Sequence, residues 1–219
     1  MLSRRQPRLQ KVLSHTLCLL VALPCLTSAV LYAGQYEKAF DELRSPDGMV
    51  EAERQGEVIS TTFASGSPPA VAFVMGKLWS QPSSSLFQDR QAAETDALVA
   101  RTILAALPGA VQEGLLAGIP EDPYKKARLI EAAGGFKTPK AAHVIAQSLE
   151  DTRSSGLPLG TEEAWPLRVC DVAYNTLVHR LRLTELRSPL GTAFAYSSRD
   201  RWIHRLQEWL AENQDKMGN

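Results

Sequence analysis

The chain has 219 residues, 44% of them apolar and 22% charged, which is the balance of a folded protein and not of a disordered one. Its 24 basic residues offset 24 acidic ones, but four of the basic residues (Arg4, Arg5, Arg8 and Lys11) stand ahead of the first acidic residue, Glu37. The remainder therefore carries 20 basic against 24 acidic residues, a net −4 that leaves no basic field for a phosphate backbone and makes nucleic acid a poor partner.

The N-terminal segment is ordered as an export signal is. The four basic residues are followed by the apolar core LCLLVALPCL and then by Thr27, Ser28 and Ala29; residues 12–36 carry no formal charge. Basic, apolar and small, in that order, is the pattern of a secretory leader. Residues 1–29 are accordingly expected to be removed after Ala29, with Ala33 the second candidate position. The alternative is retention as a membrane anchor, since the uncharged run to Ala33 approaches the ~20 residues that span a bilayer; Pro24 and the small residues favour cleavage. Pro24 also disfavours a lipid on Cys25. Either outcome places the body, residues 35–213, outside the cytoplasm or facing out, with residues 214–219 as a disordered tail. Cys18 and Cys25 lie in the leader, so Cys170 is the one cysteine of the body. It has no partner for an internal disulfide or a structural zinc site, and among Val169, Val172 and Ala173 it reads as a small buried hydrophobe.

Residues 36–43 (YEKAFDEL) set Tyr36, Ala39, Phe40 and Leu43 on one side of a short helix. Ser45, Pro46 and Asp47 open a second, along which Met49, Ala52, Gly56 and Ile59 recur at helical spacing. Residues 61–69 are turn chemistry. Residues 70–79 form an apolar helix closed by Ser80, Gln81 and Pro82. The longest helical pattern covers residues 85–107, with Leu86, Ala93, Ala97, Ile103 and Leu107 among its apolar positions, and Pro108-Gly109 breaks it. Residues 110–119 make a short apolar helix that Pro120 stops. No segment alternates with period two; VAFVM at Val71 comes nearest and is too short. The body is therefore predicted to be all-α.

The stretch from Asp122 to Arg182 organises the rest. It reads helix, tight turn, helix, loop, helix. Asp122-Pro123 and Thr138-Pro139 each place a capping side chain before a proline suited to the first helical position. Gly134 and Gly135 stand where a left-handed residue would end the first helix. In residues 165–182 the side chains Arg168, Asp171, Asn175, His179 and Arg182 fall on one stripe, and Leu167, Cys170, Tyr174, Leu177 and Leu181 form an apolar row on the other side. The stripe is read as a wet face, with Arg168, Asp171, Asn175 and His179 as candidate binding residues.

The helices fall into pairs whose second members begin near Pro46, Ser85, Pro123 and Pro166, at intervals of 39, 38 and 43 residues. Two helices per unit of roughly 40 residues is the HEAT-type period. PLRVCDVAYNTLVHRL resembles the second helix of a HEAT-like repeat, and KTPKAAHVIAQSLED resembles the first; the likeness is strongest over residues 137–183. The resemblance implies a short α-solenoid of about four helix pairs that recognises other proteins on its concave surface. It implies neither a cofactor nor a catalytic residue.

After a loop at residues 187–198 the chain closes with RDRWIHRLQEWLAEN. Ser198 is the expected N-cap. Trp202, Ile203, Leu206, Trp209 and Leu210 make an apolar face, and Arg201, Arg205, Glu208 and Glu212 a polar one, as a capping helix requires. There is no glycine-rich phosphate loop, no G-x-S-x-G elbow and no asparagine glycosylation sequon. His15, His143, His179 and His204 stand apart from one another. Glu150-Asp151 and Glu162-Glu163 border one loop, but without EF-hand spacing. The expectation is an exported protein-binding or scaffold module without catalysis, metal or cofactor. The alternatives are a membrane-anchored subunit of an envelope complex and a lyase-like enzyme using the concave surface.

Overall fold

The computed structural model describes residues 34–44, 52–82, 86–157, 165–187, 189–191 and 193–215. The leader, the Ser45-Pro46-Asp47 start, Met49, Ser85 and the Glu162-Glu163 pair lie outside the described residues. Among those described there are nine α-helices and no strand. The all-α expectation therefore holds. We label the helices α1 (34–43), α2 (Ala52–Thr62), α3 (Pro68–Leu78), α4 (Phe87–Ala106), α5 (Gly109–Ala117), α6 (Pro123–Ala133), α7 (Lys140–Gln147, continued by a 3₁₀ turn Ser148–Glu150), α8 (Val169–Arg180) and α9 (Tyr196–Glu212). Of the expected tail, Gln214 and Asp215 lie in a 3₁₀ turn and 216–219 fall outside the described residues.

Packing follows a skip-one pattern. α4 packs on α6 and α6 on α8, while α5 packs on α7. Within pairs, α3 meets α4 and α7 meets α8. α1 joins through an aromatic cluster in which Tyr36 meets Phe63 and Phe73, and Phe40 meets Phe73 edge-on at 5.8 Å. A single apolar cluster runs from Tyr36 to Leu210. The row on α8 sits in it: Cys170, Tyr174 and Leu177 are buried, against α6 and α7.

Asp122 caps α6 as its sequence requires, accepting from the Lys125 amide at 2.9 Å. Several boundaries differ from expectation. Pro68 and Pro69 start α3 instead of ending a loop, because proline fits the first helical turn, where no N–H partner is available. Thr138 does not cap α7; its hydroxyl turns to Glu113 at 3.2 Å. α8 starts at Val169, four residues later than expected, with Arg168 as its N-cap. Ala195, not Ser198, precedes α9. Gly56 and Leu86 are exposed where apolar burial was expected.

Neither glycine after α6 is left-handed. Gly134 keeps right-handed helical backbone (φ −55°), and its need for glycine is steric: a Cβ there would lie 2.8 Å from Thr176 Cγ2 on α8, and one at Gly135 would lie 3.1 Å from Ala105 on α4. The left-handed helix end falls on Arg182 instead (φ 55°). There the Leu183 amide reaches back to Val178 O at 3.0 Å, the six-to-one bond of a Schellman end.

Candidate functional site

The four candidate binding residues of α8 do not form a solvent-facing stripe. Asp171 is fully buried and Arg168 is 7% exposed; Asn175 is half-buried and His179 is exposed. The expected wet face is corrected for the first two because α9 lies over the first turn of α8.

What these residues build is a closed ionic cluster. Asp171 Oδ2 accepts from the Arg168 amide at 2.9 Å and from Arg168 Nε at 3.2 Å, while Oδ1 accepts from Arg168 Nη2 at 3.0 Å. Arg199 of α9, itself fully buried, donates from Nη1 to Asp171 Oδ2 at 2.8 Å. Its other N–H groups go to the carbonyls of Phe194 (2.9 Å), Pro166 (3.0 Å) and Trp165. Arg168 also reaches Asp200 Oδ1 at 2.6 Å. Two guanidiniums thus meet two carboxylates, and charge balances inside the cluster. Tyr196 covers it, with Arg168 4.6 Å and Arg199 5.1 Å from the ring centroid and Trp165 edge-on at 5.1 Å. Burial works to lower the Arg168 pKa, but the hydrogen bonds to Asp171 and Asp200 outweigh it and hold the guanidinium charged.

The cluster orients; it holds no group poised to react. Cys170 Sγ is 4.0 Å from Asp171 Oδ1, and burial pushes the thiol up to about 12, so it stays protonated. Asn175 is equally committed: its amide donates to Leu190 O at 3.1 Å and its carbonyl accepts from Leu190 N at 2.6 Å, pinning the segment before α9. A second cluster links α4 to α6, where Arg128, 1% exposed, meets Glu94 and Glu131.

Arg199 is the residue the sequence reading missed. It precedes Ile203, Leu206 and Leu210 at spacings of 4, 3 and 4, so it belongs to the apolar row of α9. An arginine on such a row must meet an acid when it is buried, and Asp171 is the one it meets.

Surface features remain as sites. Phe87 is 75% and Leu98 is 57% exposed; eleven residues apart on α4, they share a face. A cleft of about 200 Å³ lies between α1 and α2, lined by Lys38, Glu42, Arg54, Glu57 and Thr61 among others. Arg54 spends its guanidinium on Glu42 and Glu57, each at 2.7 Å. Among the described residues no group of three His, Cys, Asp or Glu side chains could hold a metal ion, and no helix is long and apolar enough to cross a membrane. Comparison with protein-family models, with curated proteins and with solved structures returned no match to this chain.

Proposed function

We propose that this chain is an exported HEAT-like repeat protein that binds another protein and acts as a scaffold. The observation that carries the reading is the pairing of a helical stack with apolar side chains left outside it: Phe87 and Leu98 share one face of α4 while Ala93, Ala97, Ile103 and Leu104 of the same helix are buried. The skip-one packing of α4, α6 and α8, and of α5 on α7, supports a solenoid, in which each unit covers its neighbour's apolar side. Exposed aromatic and leucine side chains on a rigid helix supply the kind of anchor that protein interfaces use. Export rests on the order of the leader residues, and mass measurement of the mature N-terminus separates a chain cleaved after Ala29 from an anchored one.

The binding reading is tested by placing a photo-crosslinking amino acid at Leu98 and, as a control, at the exposed His143 of α7. A protein adduct of one defined mass from position 98 alone is expected. Adducts of the same mass from both positions, or none from position 98, would overturn it.

A further inference from the structure

α4 turns one side to the core, where Ala93, Ala97, Ala100, Ile103 and Leu104 are buried. At about 100° per residue, Phe87, Gln91, Thr95, Leu98 and Thr102 fall on the opposite side, within about 80° of arc and along about 22 Å of helix. Thr95 is half-buried and the other four are exposed. None of these side chains carries a charge. The charges beside the stripe turn to other helices: Asp96 meets Arg44 of α1 at 3.0 Å, Glu94 meets Arg128 of α6, and Arg101 meets Glu131 of α6 at 3.3 Å. Both threonines are satisfied by their own helix. Thr95 Oγ1 donates to Gln91 O at 2.9 Å and Thr102 Oγ1 to Leu98 O at 3.0 Å, so covering them strands no hydroxyl.

We propose that the occupant of this stripe is the same stripe of a second copy, α4 packing antiparallel on α4 about a two-fold axis. The proposal rests on the protein-binding reading above and names the partner at that same face. Charge decides both the occupant and its direction. An uncharged stripe is matched by an uncharged stripe, and a face that pairs with itself closes after two copies. Glu94 and Arg101 border the stripe on one margin, and their side chains are 41% and 27% exposed. Antiparallel packing brings the Glu94 of each copy towards the Arg101 of the other, whereas parallel packing would set like charges against each other. The register that places Leu98 against Thr95 of the second copy also suits the remaining side chains. It places Phe87 over the small, exposed Ala106. It places the Gln91 amide against Thr102, whose hydroxyl oxygen is still able to accept, and one polar side chain in an otherwise apolar seam holds a register.

The test uses the purified full chain. Sedimentation velocity over a range of concentrations is expected to show a reversible dimer. Leu98→Glu, which puts a charge into the stripe, should weaken that dimer about tenfold or more, with helicity by circular dichroism unchanged; Leu98→Met, which keeps the site apolar, should leave it nearly as tight. A photo-crosslinking amino acid in place of Thr95, in chain mixed with a copy labelled in heavy nitrogen, should give an adduct of twice the chain mass that joins position 95 to the heavy copy's α4 around position 98. A chain that stays monomeric at every concentration, a dimer indifferent to Leu98→Glu, or a crosslink to any other helix of the heavy copy would overturn the proposal. A Leu98 adduct of some other defined mass formed in cells, with the purified chain monomeric, would overturn it and leave the wider reading standing. No adduct from Leu98 in either setting would overturn both.

Discussion

At the scale of single residues, Arg182 is the most exposed to test. Its φ of 55° is a conformation that costs an L-residue about 1 kcal/mol and costs glycine little. Arg182→Gly is therefore expected to raise stability by ~0.5–1 kcal/mol, read as an increased urea midpoint without a change in slope. Asp171 gives the opposite result. Removing its charge leaves Arg199 buried without an acid and Arg168 with Asp200 alone, and breaking a buried pair on one side costs about 3–5 kcal/mol. Asp171→Asn should accordingly bring the chain close to unfolding, since domains of this kind are stable by only about 5–15 kcal/mol. The sequence showed Leu177 correctly as core and His179 as solvent-facing, because the 3–4 spacing of the apolar row fixes both. Leu177→Ala should cost roughly 2–5 kcal/mol and His179→Ala less than about 0.5, compared by thermal melts. The same spacing misplaced Asp171, because a period tells which side of a helix a residue lies on and not which partner later covers that side.

At the scale of elements, the helices were legible and their ends were less so. Asp122 capped as expected because its partner, Lys125 N, is local. Thr138 did not, because Glu113 on α5 offered a competing acceptor from a distant part of the chain. The glycines after α6 teach the same lesson in packing terms. Both were legible as special, but through a helix-ending rule that the structure does not use; their reason lies on α8 and α4. This makes Gly134→Ala a contest between two effects. Alanine favours helix by about 1 kcal/mol over glycine, while a Cβ at 2.8 Å from the Thr176 methyl forces overpacking that costs about 1–3 kcal/mol. A net loss is expected for the single variant. In the Thr176→Ser background, which removes that methyl, the same substitution should become neutral or stabilising, and a double-mutant cycle of urea titrations measures the difference.

At the scale of the whole molecule, α4, α6 and α8 pack in succession, and α3 meets α4 and α7 meets α8, while α5, which the period of roughly 40 residues set beside α6, packs chiefly on α7. What the period could not supply is the attachment of the segment 151–157, which crosses between α6 and α8. Asp151 takes Arg153 Nη2 at 2.7 Å and Lys126 of α6 at 2.8 Å, and its carbonyl accepts from Cys170 N at 2.8 Å. Those hydrogen bonds, Arg153's first, hold its carboxyl well below the usual carboxylate range. A folded pKa lower than the unfolded value of about 3.9 contributes stability that is fully present above that value and is lost as pH falls through the folded pKa. Asp151→Asn should therefore be less stable than the parent at pH 7, and the gap between them should narrow as pH drops below about 4. Urea midpoints collected from pH 7 to pH 2 would show it; a gap constant across that range would mean that the ion pairs contribute nothing.

Arg180 carries a consequence for motion. From the last turn of α8 its Nη1 donates to the carbonyls of Ala133 (3.3 Å), Gly134 (3.0 Å) and Phe136 (2.7 Å), and its Nη2 to Thr138 O at 3.2 Å. The turn between α6 and α7 is thus closed by a side chain that arrives more than forty residues later. Until α8 docks, Ala133 O and Thr138 O have their local bonds to the Phe136 and Ala141 amides, and the turn lacks the clamp that Arg180 puts across it. Opening should run in the same order. In native-state hydrogen exchange, the amides of Phe136 and Ala141, which bond within this turn, should exchange together with those of α8 and not with those at the start of α6. Helices coupled in this way should open together across the turn between α6 and α7 and not one at a time.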